Sequence, residues 1–316
     1  MCSKITWATQ NHGVFVARTM DWFAATNPEA IITPKGVEKD YGFFSKESKF
    51  STFGITTYGY ILDGVNDAGL SGHGLYFATA LDYENKQSLP KFNLNHLVNF
   101  GLSECGNVVD LVKLIEQHHI TICEVTDFGP GTIHASFSDI TGDNCVIEIE
   151  NGSLNIWHGK QYNIMTNQPG YNKQLNNWER VKRSIDLAPH TGYTHIQTGG
   201  NINPEDRFIH NNYMSSHLKE PTSNLNGHMK LVTNIYKIPQ DVPNRVEGEE
   251  IVCFPTEFVI SYNLNNLTAH FLYTMNDAYM KYNFDISELF TRGVPLRFRL
   301  DQADLHGDIT EKFLAS

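Results

Sequence analysis

Cys2 follows Met1 directly, and that pairing poses a chemical question. Methionine is trimmed when the next residue is small, and trimming here would leave one residue carrying both a thiol and a free α-amine. A thiolate is a strong nucleophile, whereas the thiol itself is a modest one. Reference values of about 8.5 for a thiol and about 7.7–8.0 for an α-amine let the amine act as the thiol's own base, with no histidine required. Such a centre also needs a cation for the thiolate, a carboxylate for the amine and donors for an oxyanion. In "VFVARTMDW", Arg18 and Asp21 stand at the end of the strand expected to pair with the first. An Arg and an Asp three apart at a strand end also make an ordinary solvated surface pair, so residue types alone leave both readings open.

The elements that would position these groups are legible from periodicity. "ITWATQNHGVFVARTMDW" holds two strand-like runs around the turn signal "NHG" and reads as a hairpin. "FGITTYGYILDGVNDAGLSGHGLYFATA" continues in β structure, with turns expected at "ND" and "GH" and its glycines read as turn residues. Val108, Leu111, Val112 and Ile115 form one apolar helical stripe behind Asn107 as N-cap. A β-meander punctuated by "TGDN" and "ENGS" follows. A helical block over roughly residues 172–237 comes next, including the amphipathic "NKQLNNWERVKRSI" and an N-terminus at Asn203-Pro204. The chain then returns to a hairpin, "TEFVISYNLNNLTAHFLYT". Alternating blocks of strands and helices predict an α+β layered fold rather than a doubly wound sheet.

Bulk composition narrows the function. The 316 residues show no repeat, low-complexity tract or linker, so a single domain over 1–316 with its mature start at Cys2 is expected. A formal charge of −11 argues against a nucleic-acid partner. The apolar runs are too short for a membrane span, and no secretory pattern is read at the start. The expected location is therefore cytoplasmic, or periplasmic or secreted if a signal peptide once preceded the chain. Five scattered cysteines without a C-x-x-C pair suggest neither a disulfide framework nor a zinc site; four of them read as small buried hydrophobes. No metal and no cofactor is expected. The adjacent His118 and His119 do not face one way on a helix.

Taken together, "C…ARTMDW", "DGVNDAGLSGHGLYFATA", "MTNQPGYNKQ", "EDRF" and "TEFVISYNLNNLTAHFLY" resemble, in that order, the choloylglycine hydrolase and penicillin V acylase family. The resemblance runs from Cys2 to about residue 285. It implies a four-layer αββα sandwich, the Ntn-hydrolase fold, and hydrolysis of linear amides. It further implies Cys2 as nucleophile, Arg18 beside the sulfur, and Asp21 as acceptor for the α-amine. Asn167 would donate its side-chain amide to the oxyanion, with the backbone N–H of Tyr76 as second donor, and Arg207 would complete the charged shell. Tyr76 stands where many bile-salt hydrolases carry Asn, which leans toward acylase. Trp22, Phe23 and Phe128 are candidates for the wall of an acyl pocket. The stretch between Asn167 and Arg207 is short beside relatives with a tetramer-assembly loop, and homo-oligomer formation stays open.

The expected partner is thus a small-molecule amide with an apolar acyl group. The foremost reading is a penicillin V acylase-like or acyl-homoserine-lactone acylase-like hydrolase, with conjugated bile salt hydrolysis as the alternative. A non-catalytic ligand-binding member that retains Met1 is a further alternative, and a ceramidase-type lipid amidase a more distant one.

Overall fold

The computed structural model describes residues 2–78, 89–125, 129–130, 132–192, 200–275 and 279–316. A seven-stranded and an eight-stranded sheet dominate it. In chain order their strands are β1 (Cys2–Ala8), β2 (Val14–Asp21), β3 (Glu29–Thr33), β4 (Thr52–Thr57), β5 (Tyr60–Asn66), β6 (Ser71–Tyr76), β7 (Ile133–Ser138) and β8 (Asn144–Glu150). They continue as β9 (Ser153–His158), β10 (Ile164–Met165), β11 (Thr256–Asn263), β12 (Thr268–Tyr273), β13 (Met280–Asp285), β14 (Leu296–Arg299) and β15 (Gly307–Asp308). Sheet one runs β10-β1-β2-β11-β12-β13-β15, and sheet two runs β9-β8-β7-β6-β5-β4-β3-β14. Their pairings are antiparallel apart from β13 with β15.

Each sheet has helices on its outer face. α1 (Leu97–Glu104) and α2 (Val108–Glu116) pack on sheet two, while α4 (Pro204–Ser216) and α5 (Asn224–Asn234) pack on sheet one, with α3 (Tyr171–Thr191) against α4. The layers explain the burial pattern: all eight residues of β2 and of β11 are buried, as expected for strands covered on both faces. Helix starts follow local chemistry. Asn107 Oδ1 accepts from Asp110 N and Asn203 Oδ1 from Asp206 N, each at 2.9 Å, and Pro204 opens α4 where a missing N–H costs nothing. This is the αββα sandwich of two antiparallel sheets flanked by helices.

Two local expectations need correction. Gly72 and His73 lie inside β6, not in a turn, as does Gly74, and Gly64 lies inside β5. A Cβ on Gly72 would sit 2.6 Å from Phe137 Cε1, so this glycine serves close packing within a strand. The reversal before β6 falls at the expected "ND", closed by Gly69 N donating to the Asn66 carbonyl at 2.9 Å with Gly69 at a φ of 79°, and the one before β5 falls at Tyr58-Gly59, both with positive φ (51° and 82°). Of the four cysteines read as buried, Cys105 and Cys145 are, whereas Cys123 and Cys253 are half-buried.

Candidate active site

Cys2 opens β1, with only 2% of its surface exposed, and its Cα faces that of Met20 on β2. The same register sets Lys4 opposite Arg18, and Ile260 of β11 flanks Arg18 on the other side. From this central position the Arg18 side chain crosses toward sheet two. Its Nη2 lies 3.6 Å from Cys2 Sγ and 3.2 Å from Met20 Sδ, and donates to the carbonyl of Gly74 on β6 at 3.2 Å. The guanidinium carbon lies 5.5 Å from the Phe258 ring centroid. A permanent cation beside a buried sulfur favours the thiolate.

The backbone nitrogen of Cys2 donates to Asn167 Oδ1 at 2.6 Å. β10 pairs with β1 and so carries the chain to this spot, while Gln174 of α3 donates to the Asn167 carbonyl at 3.2 Å. Arg207 Nη2 donates to the same Oδ1 at 3.0 Å, so two donors fix which end of the amide is oxygen. Asn167 Nδ2 donates to the Tyr76 carbonyl at 2.7 Å, which leaves its second N–H for another acceptor. Thus the Tyr76 backbone meets Asn167 through its C=O.

Arg207 is fully buried in the first turn of α4. Its Nη1 donates to the Cys2 carbonyl at 2.6 Å and to Ser3 Oγ at 2.9 Å, and lies 3.5 Å from Asp21 Oδ2. Burial pulls this guanidinium down from its ordinary value, and Asp21 pushes it back. Asp21, at the end of β2, accepts from Thr256 Oγ1 at 2.7 Å. Arg18, Asn167 and Arg207 therefore contact Cys2 itself, while Asp21 contacts Arg207 and the Cys2 nitrogen donates to Asn167.

A cavity of about 260 Å³ opens against Cys2 and Arg18. Trp22, Phe23, Tyr58, Tyr60, Leu62 and Tyr76 form much of its wall. Trp22 Nε1 donates to Tyr58 OH at 2.7 Å, and the Trp22 ring centroid lies 5.8 Å from that of Tyr76. Glu257 on β11 accepts from both Thr26 N (2.9 Å) and Thr26 Oγ1 (2.8 Å); burial raises its carboxyl to about 7. Phe128 lies outside the described residues. A larger cavity of about 520 Å³, lined by Thr6, Trp178 and Lys182 among others, does not include Cys2.

Sequence reasoning missed Asp63, His73, Tyr262, Tyr58 and Glu257. "LDG" and "SGHG" offered polar residues among apolar neighbours, but the partners lie on distant strands. Among the described residues no helix is long and apolar enough to cross a membrane.

The two-sheet fold with Cys2 at its seam defines an Ntn-hydrolase architecture. It is shared with a penicillin V acylase from Agrobacterium tumefaciens (TM-score 0.83, 18% identity, covering 98% of this chain and 96% of that one). The C2A mutant of the conjugated bile acid hydrolase from Clostridium perfringens also superposes (TM-score 0.75, 18% identity, 91% and 93% covered). The family model for linear amide C–N hydrolases, choloylglycine hydrolase family, matches residues 2–293, and the chain belongs to that family. In sequence it is 26% identical over 193 residues to the penicillin V acylase of Pectobacterium atrosepticum, covering 54% of this chain and 50% of that protein. It is 25% identical over 189 residues to a bile salt hydrolase/transferase of Clostridium perfringens, covering 56% of each. The matches thus span only about half the length of these relatives.

Proposed function

We propose that this chain hydrolyses the amide bond of N-acylated small molecules, with Cys2 as nucleophile once Met1 is removed. The observation that carries the reading is the Arg18 guanidinium 3.6 Å from a buried Cys2 sulfur at the mouth of an aromatic cavity. Trimming would turn the Cys2 nitrogen, which donates a hydrogen bond to Asn167 Oδ1, into the base. The amine takes the thiol proton and sulfur bonds to the amide carbon. The oxyanion is held by the second N–H of Asn167, with the backbone N–H of Tyr76 as further donor. The C–N bond then breaks as the leaving nitrogen takes the proton from the ammonium. Water next gives a proton to the amine and attacks the thioester; the C–S bond breaks, the acid leaves and the proton returns to sulfur. Asp21 and Arg207 hold the nitrogen and the Cys2 carbonyl in register.

The cavity speaks to the acyl group. At about 260 Å³ it falls just below the range of about 300–1,000 Å³ typical of small-molecule pockets, and five aromatic residues, Trp22, Phe23, Tyr58, Tyr60 and Tyr76, stand in its wall. That favours a compact aryl-acyl or acyl-chain amide, of the penicillin V or acyl-homoserine-lactone kind, over a conjugated bile acid with its fused rings. Intact mass of the purified chain, with hydrolysis of penicillin V, a long-chain acyl-homoserine lactone, glycocholate and taurocholate on the same sample, tests it. Loss of Met1 with turnover of the first two is the expected result. Faster turnover of the bile acid amides overturns the substrate preference. Full trimming without any turnover overturns the amidase reading for this panel, and retained Met1 without turnover favours a ligand-binding member.

A further inference from the structure

We propose that Asp63 is a positioning residue for this reaction: from the opposite sheet it anchors the Arg18 guanidinium against the Cys2 sulfur, and Tyr262 in turn fixes the Asp63 carboxylate. The proposal rests on Cys2 being the nucleophile. Its warrant is geometric. Arg18 and Asp63 are each 1% exposed, and Arg18 Nε lies 3.4 Å from Asp63 Oδ2. The partners of Arg18 Nη2 are a carbonyl and two sulfurs, none of them a carboxylate. A guanidinium shut away from water needs a counter-charge, and Asp63 supplies it from β5. The Asp63 carboxylate draws Nε by charge, at a distance longer than a hydrogen bond, and the Gly74 carbonyl holds Nη2 by a hydrogen bond, so two groups on different strands oppose a turn of the planar group away from sulfur.

The carboxylate is itself held. Tyr262 OH, from β11, donates to Asp63 Oδ1 at 2.9 Å, and His73 Nδ1 lies 3.2 Å from the same oxygen. Burial raises the Tyr262 phenol well above its ordinary value and lowers the His73 imidazole, so the phenol stays a donor and the imidazole adds no second cation. Among the described residues, the charged or titratable groups that bear on the sulfur and on Arg18 include Asp21 from β2, Arg207 from α4, Lys4 along β1, Glu257 and Tyr262 from β11, and Asp63 and His73 from sheet two.

The test compares wild type with Asp63→Asn and Tyr262→Phe. It follows the rate of iodoacetamide alkylation at Cys2 against pH, mapped by peptide mass, alongside kcat and KM on the best amide. Removing a nearby negative charge, with Arg18 still in place, would move the alkylation midpoint to lower pH. Losing the anchor moves it the other way. The expected result is an upward shift of about one pH unit for Asp63→Asn. It is accompanied by a fall in kcat of about 10²-fold with KM little changed, as when a catalytic group is displaced by an ångström. Tyr262→Phe, which keeps the charge, shifts both in the same direction by less. A downward or absent shift in a folded Asp63→Asn variant overturns the proposal; if that variant does not fold, an unshifted Tyr262→Phe overturns it. Alkylation needs no turnover, so an upward shift in Asp63→Asn alongside a wild type that cleaves no amide would sink the amidase reading and leave Asp63 as the residue that positions Arg18 against the sulfur.

Discussion

Two buried cations face each other across the first hairpin, and the chain treats them in opposite ways. Lys4 and Arg18 are register partners on β1 and β2, both 0–1% exposed and both directed toward sheet two. Like charges in that relation repel, and desolvation adds to the cost. Arg18 is given Asp63 and keeps its charge beside Cys2. Lys4 Nζ meets neutral oxygens, Ser138 Oγ at 2.9 Å and Asn144 Oδ1 at 3.3 Å, and burial lowers the amine to about 7. The contrast shows one seam between two sheets divided into a charged end for chemistry and an end that needs only hydrogen bonds. A guanidinium suits the first and a titratable amine the second.

The sharpest way to break this contrast is Arg18→Met. It leaves Asp63 buried without its cation, so we expect a loss of about 3–5 kcal/mol in denaturant unfolding and no measurable amide turnover. Asn167→Ala removes the amide that bridges Arg207, the Cys2 nitrogen and Tyr76; kcat should fall about 10²–10³-fold in a steady-state assay. Lys4→Met tests the other end. Because the folded amine titrates near 7 against 10.5 when free, the unfolded chain binds more protons between those values. Stability contributed by this site is therefore present above pH 10.5 and lost as pH falls toward 7, by up to about 1.4 kcal/mol per unit. The difference between wild type and Lys4→Met in unfolding free energy should trace that slope, and a flat difference would mean that Lys4 keeps its charge. Smallest is Ser138→Ala, which removes the nearest oxygen from Lys4 and a partner from Asn144; about 1–2 kcal/mol of stability is the expected loss by thermal or chemical unfolding.

Which parts of this arrangement were readable in advance follows from the range of the interactions. The first hairpin, the Asn107 and Asn203 caps and the meander depend on neighbours within a few residues, and their sequence signals lead to the observed elements. Cys2, Arg18 and Asp21 stand out by residue type and placement, whereas Tyr76, Asn167 and Arg207 enter only through family resemblance, and contacts among these six link them in the structure. Asp63 could not be found that way, because its partners are Arg18, His73 and Tyr262, on three other strands in two sheets. Gly72 reads as a turn residue because a glycine required by Phe137 looks, in sequence, like one required by φ. The final strand-helix-strand run from Met280 drew no expectation either. Its β14 crosses to the edge of sheet two beside β3, a contact between residues more than two hundred and fifty positions apart.

Arg18 is rooted in one sheet and fastened to Gly74 and Asp63 in the other, so it works as a rivet between them. Any slip of one sheet along the other is converted directly into a change in the distance from guanidinium to sulfur. Reactivity at Cys2 then becomes a gauge of sheet alignment. Deletion of both γ-methyls of a shared-core residue by Val65→Ala should slow Cys2 alkylation at temperatures where circular dichroism still reports an intact fold.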